Sequence, residues 1–140
     1  MSRTAYKTAV IIVAAGRGER AGQGAGPKQY RTIGGRNVID RAISAFAKHD
    51  GIDAVQPVIH ADDHDLFAAA VSTNDKLLPP VVGGATRQAA VLAGLEALAQ
   101  HGCEQVLVHD AARPFVTSGV IERVIAGLEA SVGSLPTLAV

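Results

Sequence analysis

The run Val10-Ile11-Ile12-Val13 constrains this chain more than any other stretch. Four consecutive β-branched residues are too few for an ordinary helix and pack well in a strand. With no polar alternation, such a strand must be covered on both faces, as in a parallel sheet. The side chains then shrink at Ala14-Ala15-Gly16. Gly18, Gly22, Gly24 and Gly26 follow, with Arg17, Arg20 and Lys28 among them. Glycines let backbone N–H groups approach a phosphate chain, and the cations supply counter-charge. The stretch therefore reads as a nucleotide-phosphate site at the carboxyl end of the first strand. Its spacing is neither that of the dinucleotide fingerprint, whose third glycine would come one residue earlier, nor that of the P-loop, since Gly26 is followed by Pro27-Lys28-Gln29. For this stretch alone, a solvated surface loop is the alternative. A secretory leader, with Arg3 and Lys7 before the apolar run and cleavage near Gly16, makes little sense of the basic loop that follows.

The remainder alternates between helix and strand patterns. Ile33-Gly34-Gly35-Arg36 reads as a turn. The spacing of Ile39, Ala42, Ile43 and Phe46 predicts a helix over 38–48, capped by Asn37. Residues 52–60 form a second strand, in which Pro57 signals an irregularity or an edge position. His60-Ala61-Asp62-Asp63-His64 fits no known metal-ligand spacing. It reads as a polar loop with Asp62 or Asp63 capping a helix over 64–71. A short third strand over 77–82, interrupted by Pro79-Pro80, leads into Gly83-Gly84-Ala85-Thr86-Arg87. A helix over 86–100 follows, with Val91, Leu95 and Leu98 as its buried stripe and Gly102 as its stop. The glycines and Arg87 at that helix start read either as a second anion site or as a plain turn with a solvated arginine. Residues 105–108 form a fourth buried strand that ends in His109-Asp110-Ala111-Ala112-Arg113-Pro114. Asp110, at the carboxyl end of a central strand, is placed to hold a divalent metal. Its alternatives are a helix cap or a partner for Arg113, and His109 reads as satisfied by the backbone. Ile121, Val124, Ile125 and Leu128 predict a last helix over 118–129, capped by Thr117 or Ser118, and 135–140 begins another strand.

This order predicts a mostly parallel sheet with helices on both faces. Right-handed crossovers then bring every strand's carboxyl end to one edge. Residues 14–28, residues 83–87 and Asp110 meet there. With 13 basic and 13 acidic residues, no global field favours nucleic acid or an anionic membrane, so any phosphate binding must come from local charge. Cys103 is the only cysteine, which excludes an intrachain disulfide and fits a reducing cytoplasm. No apolar run is long enough to span a bilayer. The 140 residues are sufficient for one domain with a real core.

Taken together, Ala14-Ala15-Gly16-Arg17-Gly18-Glu19-Arg20, Pro27-Lys28-Gln29-Tyr30, Gly83-Gly84-Ala85-Thr86-Arg87 and Val108-His109-Asp110-Ala111-Ala112-Arg113-Pro114 resemble the 2-C-methyl-D-erythritol 4-phosphate cytidylyltransferases. The resemblance covers nearly the whole chain. Residues 55–60 and 83–88 are most similar to the bifunctional form, in which a cyclodiphosphate synthase domain follows.

The resemblance implies a three-layer, Rossmann-like α/β fold of the nucleotide-diphospho-sugar transferase type. Residues 1–140 would be the N-terminal, nucleotide-binding portion of a nucleotidyltransferase domain, with its C-terminal part missing. It implies transfer of CMP from CTP to 2-C-methyl-D-erythritol 4-phosphate with loss of pyrophosphate, in non-mevalonate isoprenoid synthesis. Arg20 and Lys28 would be catalytic. Ala14, Ala15, Gly16, Gly18, Gly83, Gly84, Arg87, Asp110 and Ala111 would bind the nucleotide, and Asp110 would hold Mg²⁺ or another divalent cation. A cytoplasmic homo-oligomer at full length is implied, with no nucleic acid or membrane partner. Ala90 departs from the pattern, which has serine there. The family's acceptor residues and a second catalytic lysine fall beyond residue 140, so the expectation for the 140-residue chain alone is nucleotide binding without turnover. Another sugar- or cofactor-phosphate nucleotidyltransferase, or a binding module, are the competing readings.

Overall fold

The computed structural model describes residues 6–16 and 27–130. Four parallel strands form the main sheet. They are β1 (Thr8–Ala14), β4 (Ala54–Ile59), β5 (Val81–Val82) and β6 (Gln105–Asp110), in the order β5-β4-β1-β6. β1 is paired along its length on both sides, from Ala9 against Ala54 to Ala14 against Ile59, and from Thr8 against Gln105 to Val13 against Asp110. All seven of its residues are buried, as its β-branched run requires. Its amino end is tied down by Asp53, whose Oδ2 accepts from the Lys7 and Thr8 N–H groups at 3.0 Å.

The side chains of β1 alternate between two cores. Val10, Ile12 and Ala14 pack with residues of α1 (Val38–Ala47), Phe67 of α2 (His64–Ala70) and Ile121 of α4 (Ser118–Ala130). Ala9, Ile11 and Val13 pack on the opposite face with Ala90 and Leu98 of α3 (Arg87–Ala99). This is the three-layer α/β arrangement that the sequence predicts, with α3 on one face and the other long helices on the other.

α1 forms as its spacing dictates. Asn37 Oδ1 accepts from the Ile39 N–H, and Val38, Ile39, Ala42, Ile43 and Phe46 are buried. Before it, β2 (Thr32–Ile33) and β3 (Arg36–Asn37) make a two-residue hairpin. Gly34 and Gly35 both have positive φ there, which the tightest hairpin turns demand. α4 likewise buries the predicted face, and Thr117 Oγ1 accepts from the Val120 N–H.

Five details differ from the sequence expectation, each for a local reason. Of the two readings of Pro57, the edge position fails, because β4 lies between β1 and β5, while the irregularity holds. Pro57 sits where pairing is interrupted: Val55 exchanges hydrogen bonds with Lys76 and Leu78, and regular pairing resumes only at Val58 against Val81. Gln56 closes the gap, its Nε2 donating to the carbonyls of Pro57 and Pro79 at 2.9 Å each. The third strand accordingly shrinks to Val81–Val82, with Leu77 making an isolated bridge to Val55. After β4 it is His60, not an aspartate, whose side chain caps the turn, Nδ1 accepting from the Asp62 N–H. β6 continues to Asp110 and is half-buried, since it is an edge strand among the described residues.

The fifth difference is in α3. Its buried line is Ala90, Gly94 and Leu98, while Leu95 is 41% exposed. Small residues let the helix approach the sheet closely. A Cβ on Gly94 would stand 2.8 Å from Ile11 Cγ2. Gly94→Val should therefore cost about 2 kcal/mol of stability by overpacking, read as a lower denaturation midpoint with unchanged slope.

Candidate active site

The carboxyl ends of β1 and β6 flank the point where the strand order reverses. The chain leaves β1 through α1 to one side and reaches β6 through α3 on the other. Open α/β sheets bind ligands in the crevice at such a switch. A cavity of about 300 Å³ opens there, and it has the size of a small-ligand site.

Ala15 and Gly16, from the end of β1, form one wall. Lys28 enters from a single 3-10 turn over Lys28–Tyr30, Arg87 from the first turn of α3, and Asp110 from the last position of β6. The cavity thus meets two cations, one carboxylate and the N-terminus of α3. Thr86 caps that helix, its Oγ1 accepting from the Ala89 N–H at 3.0 Å. A capped helix start with an arginine in its first turn favours an anion.

Asp110 is held by the turn that follows it. Its Oδ1 accepts from the Ala112 N–H at 2.9 Å, and its carbonyl accepts from the Arg113 N–H. His109, next to it, points to the other face. It rests on the Phe46 ring at 4.9 Å between centroids, and Nε2 lies 2.8 Å from the Arg113 carbonyl. A carbonyl can only accept, so Nε2 carries the proton. Burial lowers the imidazole pKa, against the raising effect of that hydrogen bond. His109 is therefore a neutral brace beneath the turn, satisfied by the backbone as the sequence indicates.

Of the predicted residues, Ala15, Gly16, Lys28, Gly84, Arg87 and Asp110 line the one cavity. Ala14 and Ala111 stand beside it, but their methyl groups lie in the core on the far face, and the Ala111 N–H donates to the Val13 carbonyl. Val13 and Ala112 line the cavity in their stead. Gly18 and Arg20 lie outside the described residues. Ala90, at the position where serine was expected, is buried and forms part of the lining.

Gly83 and Gly84 are required by packing. A Cβ on Gly83 would meet Val58 at 2.8 Å and both Ala15 and Ala90 at 3.0 Å; one on Gly84 would meet Ala89 at 2.6 Å. Both directions point into protein. Sequence reasoning passed over Gln29. Its side chain is buried, and Nε2 donates to the carbonyls of Ala14 and Gly16, at 3.0 Å each. The only signal was an uncharged polar residue beside Lys28.

An open parallel sheet with a crevice at its switch point defines a Rossmann-like α/β protein. The comparisons narrow that class. The family model for 2-C-methyl-D-erythritol 4-phosphate cytidylyltransferase matches residues 8–140, and the chain belongs to that family. It is 59% identical over 133 residues to a bifunctional enzyme IspD/IspF of Bradyrhizobium sp. (strain ORS 278), covering 95% of this chain and 33% of the relative. It is 49% identical over 132 residues to the bifunctional enzyme IspD/IspF of Mesorhizobium japonicum, covering 94% and 32%. Among solved structures, 4-diphosphocytidyl-2C-methyl-D-erythritol synthase of Anaerococcus prevotii superposes with a TM-score of 0.73 at 30% identity, over 88% of this chain and 51% of that one. The Francisella tularensis 2-C-methyl-D-erythritol 4-phosphate cytidylyltransferase gives 0.69 at 26%, over 89% and 53%. The chain spans about a third of the length of the curated relatives it matches.

The glycine contacts give a paired test. Gly84→Ala should lower stability by about 1–3 kcal/mol through its clash with Ala89. Gly16→Ala, which meets nothing within 4 Å among the described residues, should stay within about 0.5 kcal/mol of the parent. Denaturant titration of both variants checks this, and separates loss of fold from any loss of ligand binding at Gly16.

Proposed function

We propose that the full-length protein transfers CMP from CTP to 2-C-methyl-D-erythritol 4-phosphate, a step of non-mevalonate isoprenoid synthesis. The observation that carries this reading is the coincidence of the family match over residues 8–140 with a crevice lined by Lys28, Arg87 and Asp110. Cytoplasmic location and assembly into a homo-oligomer belong to the same proposal. Among the described residues no helix is long and apolar enough to cross a membrane.

In the reaction a phosphate oxygen of the acceptor forms a bond to the α-phosphorus of CTP. The bond from that phosphorus to the bridging oxygen breaks, and pyrophosphate leaves with its electron pair. Such transfers depend on positioning and charge neutralisation more than on covalent help from the protein. Lys28, with Arg20, stabilises the negative charge that gathers around the α-phosphorus. Arg87 and the α3 N-terminus attract the nucleotide's anionic groups. Ala15 and Gly16 offer a wall with little side-chain bulk, so the nucleotide can lie close to the end of β1.

The donor set suits a magnesium ion, which keeps several waters and takes one or two carboxylates plus phosphate oxygens. Asp110 has Oδ2 uncommitted among the described residues, while Oδ1 is held by Ala112. No group of three acidic, histidine or cysteine side chains competes as a metal site among the described residues. When bound, the ion neutralises phosphate charge.

Pyrophosphate release by the full-length protein, with each of the four nucleoside triphosphates, Mg²⁺ and 2-C-methyl-D-erythritol 4-phosphate, tests the assignment. CTP alone should support turnover; equal rates with all four would overturn it. Lys28→Ala should lower kcat by roughly 10²-fold, the scale for removing one positioned electrostatic donor. Asp110→Asn keeps the side chain's shape and removes its charge. It should weaken CTP binding in the presence of Mg²⁺ and leave the metal-free titration nearly unchanged. Equal responses with and without Mg²⁺ would make Asp110 structural.

A further inference from the structure

We propose that Gln29 is a positioning residue for nucleotidyl transfer, clasping the two stems of the glycine-rich loop so that Lys28 is held against the end of β1. This rests on the function proposed above. Gln29 is 6% exposed, and its Nε2 donates at 3.0 Å to the carbonyl of Ala14, the last residue of β1, and at 3.0 Å to that of Gly16. Gln29 thereby ties the chain before residue 17 to the chain after residue 26. Ala14 is the last residue of β1 in register with β4, Gly16 lies past both ladders, and an amide with two donors can reach both carbonyls.

The other side of the clasp is also rigid. The Tyr30 N–H donates to the Pro27 carbonyl, the Arg31 N–H to the Lys28 carbonyl, and Asn37 Nδ2 to the Tyr30 carbonyl at 2.7 Å. Asn37 in turn caps α1. Lys28 is thus fixed to α1 through Asn37 and to β1 through Gln29. Its ammonium sits on a flexible stem, so its placement depends on a fixed backbone. Gln29 borders the cavity itself, but both Nε2 hydrogen bonds go to backbone carbonyls of residues 14 and 16, so it acts through the placement of Lys28.

The test is a double-mutant cycle in the full-length protein, using Gln29→Met, which keeps the volume and removes both donors, Lys28→Ala, and the pair. Gln29→Met alone should lower kcat by roughly 10- to 10²-fold, the scale for misplacing a catalytic group by an ångström, with KM for CTP changed far less. In the Lys28→Ala background the same change should cost no more than about twofold, because there is no ammonium left to misplace. Unchanged kcat, or losses that multiply in the double variant, would overturn the proposal. If Gln29→Met does not fold, Gln29→Glu, with at most one donor, runs the same cycle under the same criteria. A second readout is independent of activity. An arginine-specific protease should cut after Arg17 or Arg20 about tenfold faster in Gln29→Met than in the parent. Equal rates would refute the clasp. A parent enzyme that releases no pyrophosphate would refute the transfer reading, and the cleavage rates would still decide the clasp.

Discussion

Everything in this structure depends on β1 being enclosed on four sides. Strands pair along both of its edges, and helices pack on both of its faces. A strand so enclosed can meet solvent and ligand only at its ends. The amino end is sealed by Asp53, so the carboxyl end is left to face the crevice. The shrinkage of the side chains at Ala14-Ala15-Gly16 then has a physical purpose: it keeps that one open end unobstructed.

The helices are placed in service of this end. α3 lies close on the sheet because Gly94 lets it, and the closeness brings its capped N-terminus and Arg87 to the cavity rim. Gly83, wedged among Val58, Ala15 and Ala90, fixes where the chain turns from β5 into α3. On the far face His109 braces the turn that presents Asp110, using Phe46 of α1 as its support. The crevice is thus positioned by contacts from both cores.

Much of this was legible in the sequence where the signal is local. β1 declared itself by β-branching, α1 by apolar spacing and its asparagine cap, and the convergence of Gly16, Lys28, Arg87 and Asp110 by the rule that parallel strands end together. The contacts that were not legible are long-range or involve small side chains. The buried line of α3 was read as Val91, Leu95 and Leu98 because larger apolar groups carry more weight in a periodicity, whereas close approach selects Ala90 and Gly94. A methyl group's side of the sheet depends on register, so Ala14 and Ala111 could be placed at the crevice but not seen to face away from it. Gln29 meets carbonyls 13 and 15 positions away, and nothing about a glutamine in isolation announces that.

The break in pairing beside β4 has a consequence for how this sequence can change over time. Pro57 lacks the N–H that a sheet interior normally uses, and Gln56 compensates by binding the carbonyls of Pro57 and Pro79. Replacing the glutamine alone removes the donor that both carbonyls share, and a buried polar group left unsatisfied costs about 1–3 kcal/mol. Replacing the proline alone introduces an N–H that must compete with Gln56 Nε2 for the carbonyls of the segment carrying Pro79. The two neighbours and the diproline across from them therefore form a single epistatic unit, and viable paths through sequence space should alter its members together or leave them all in place.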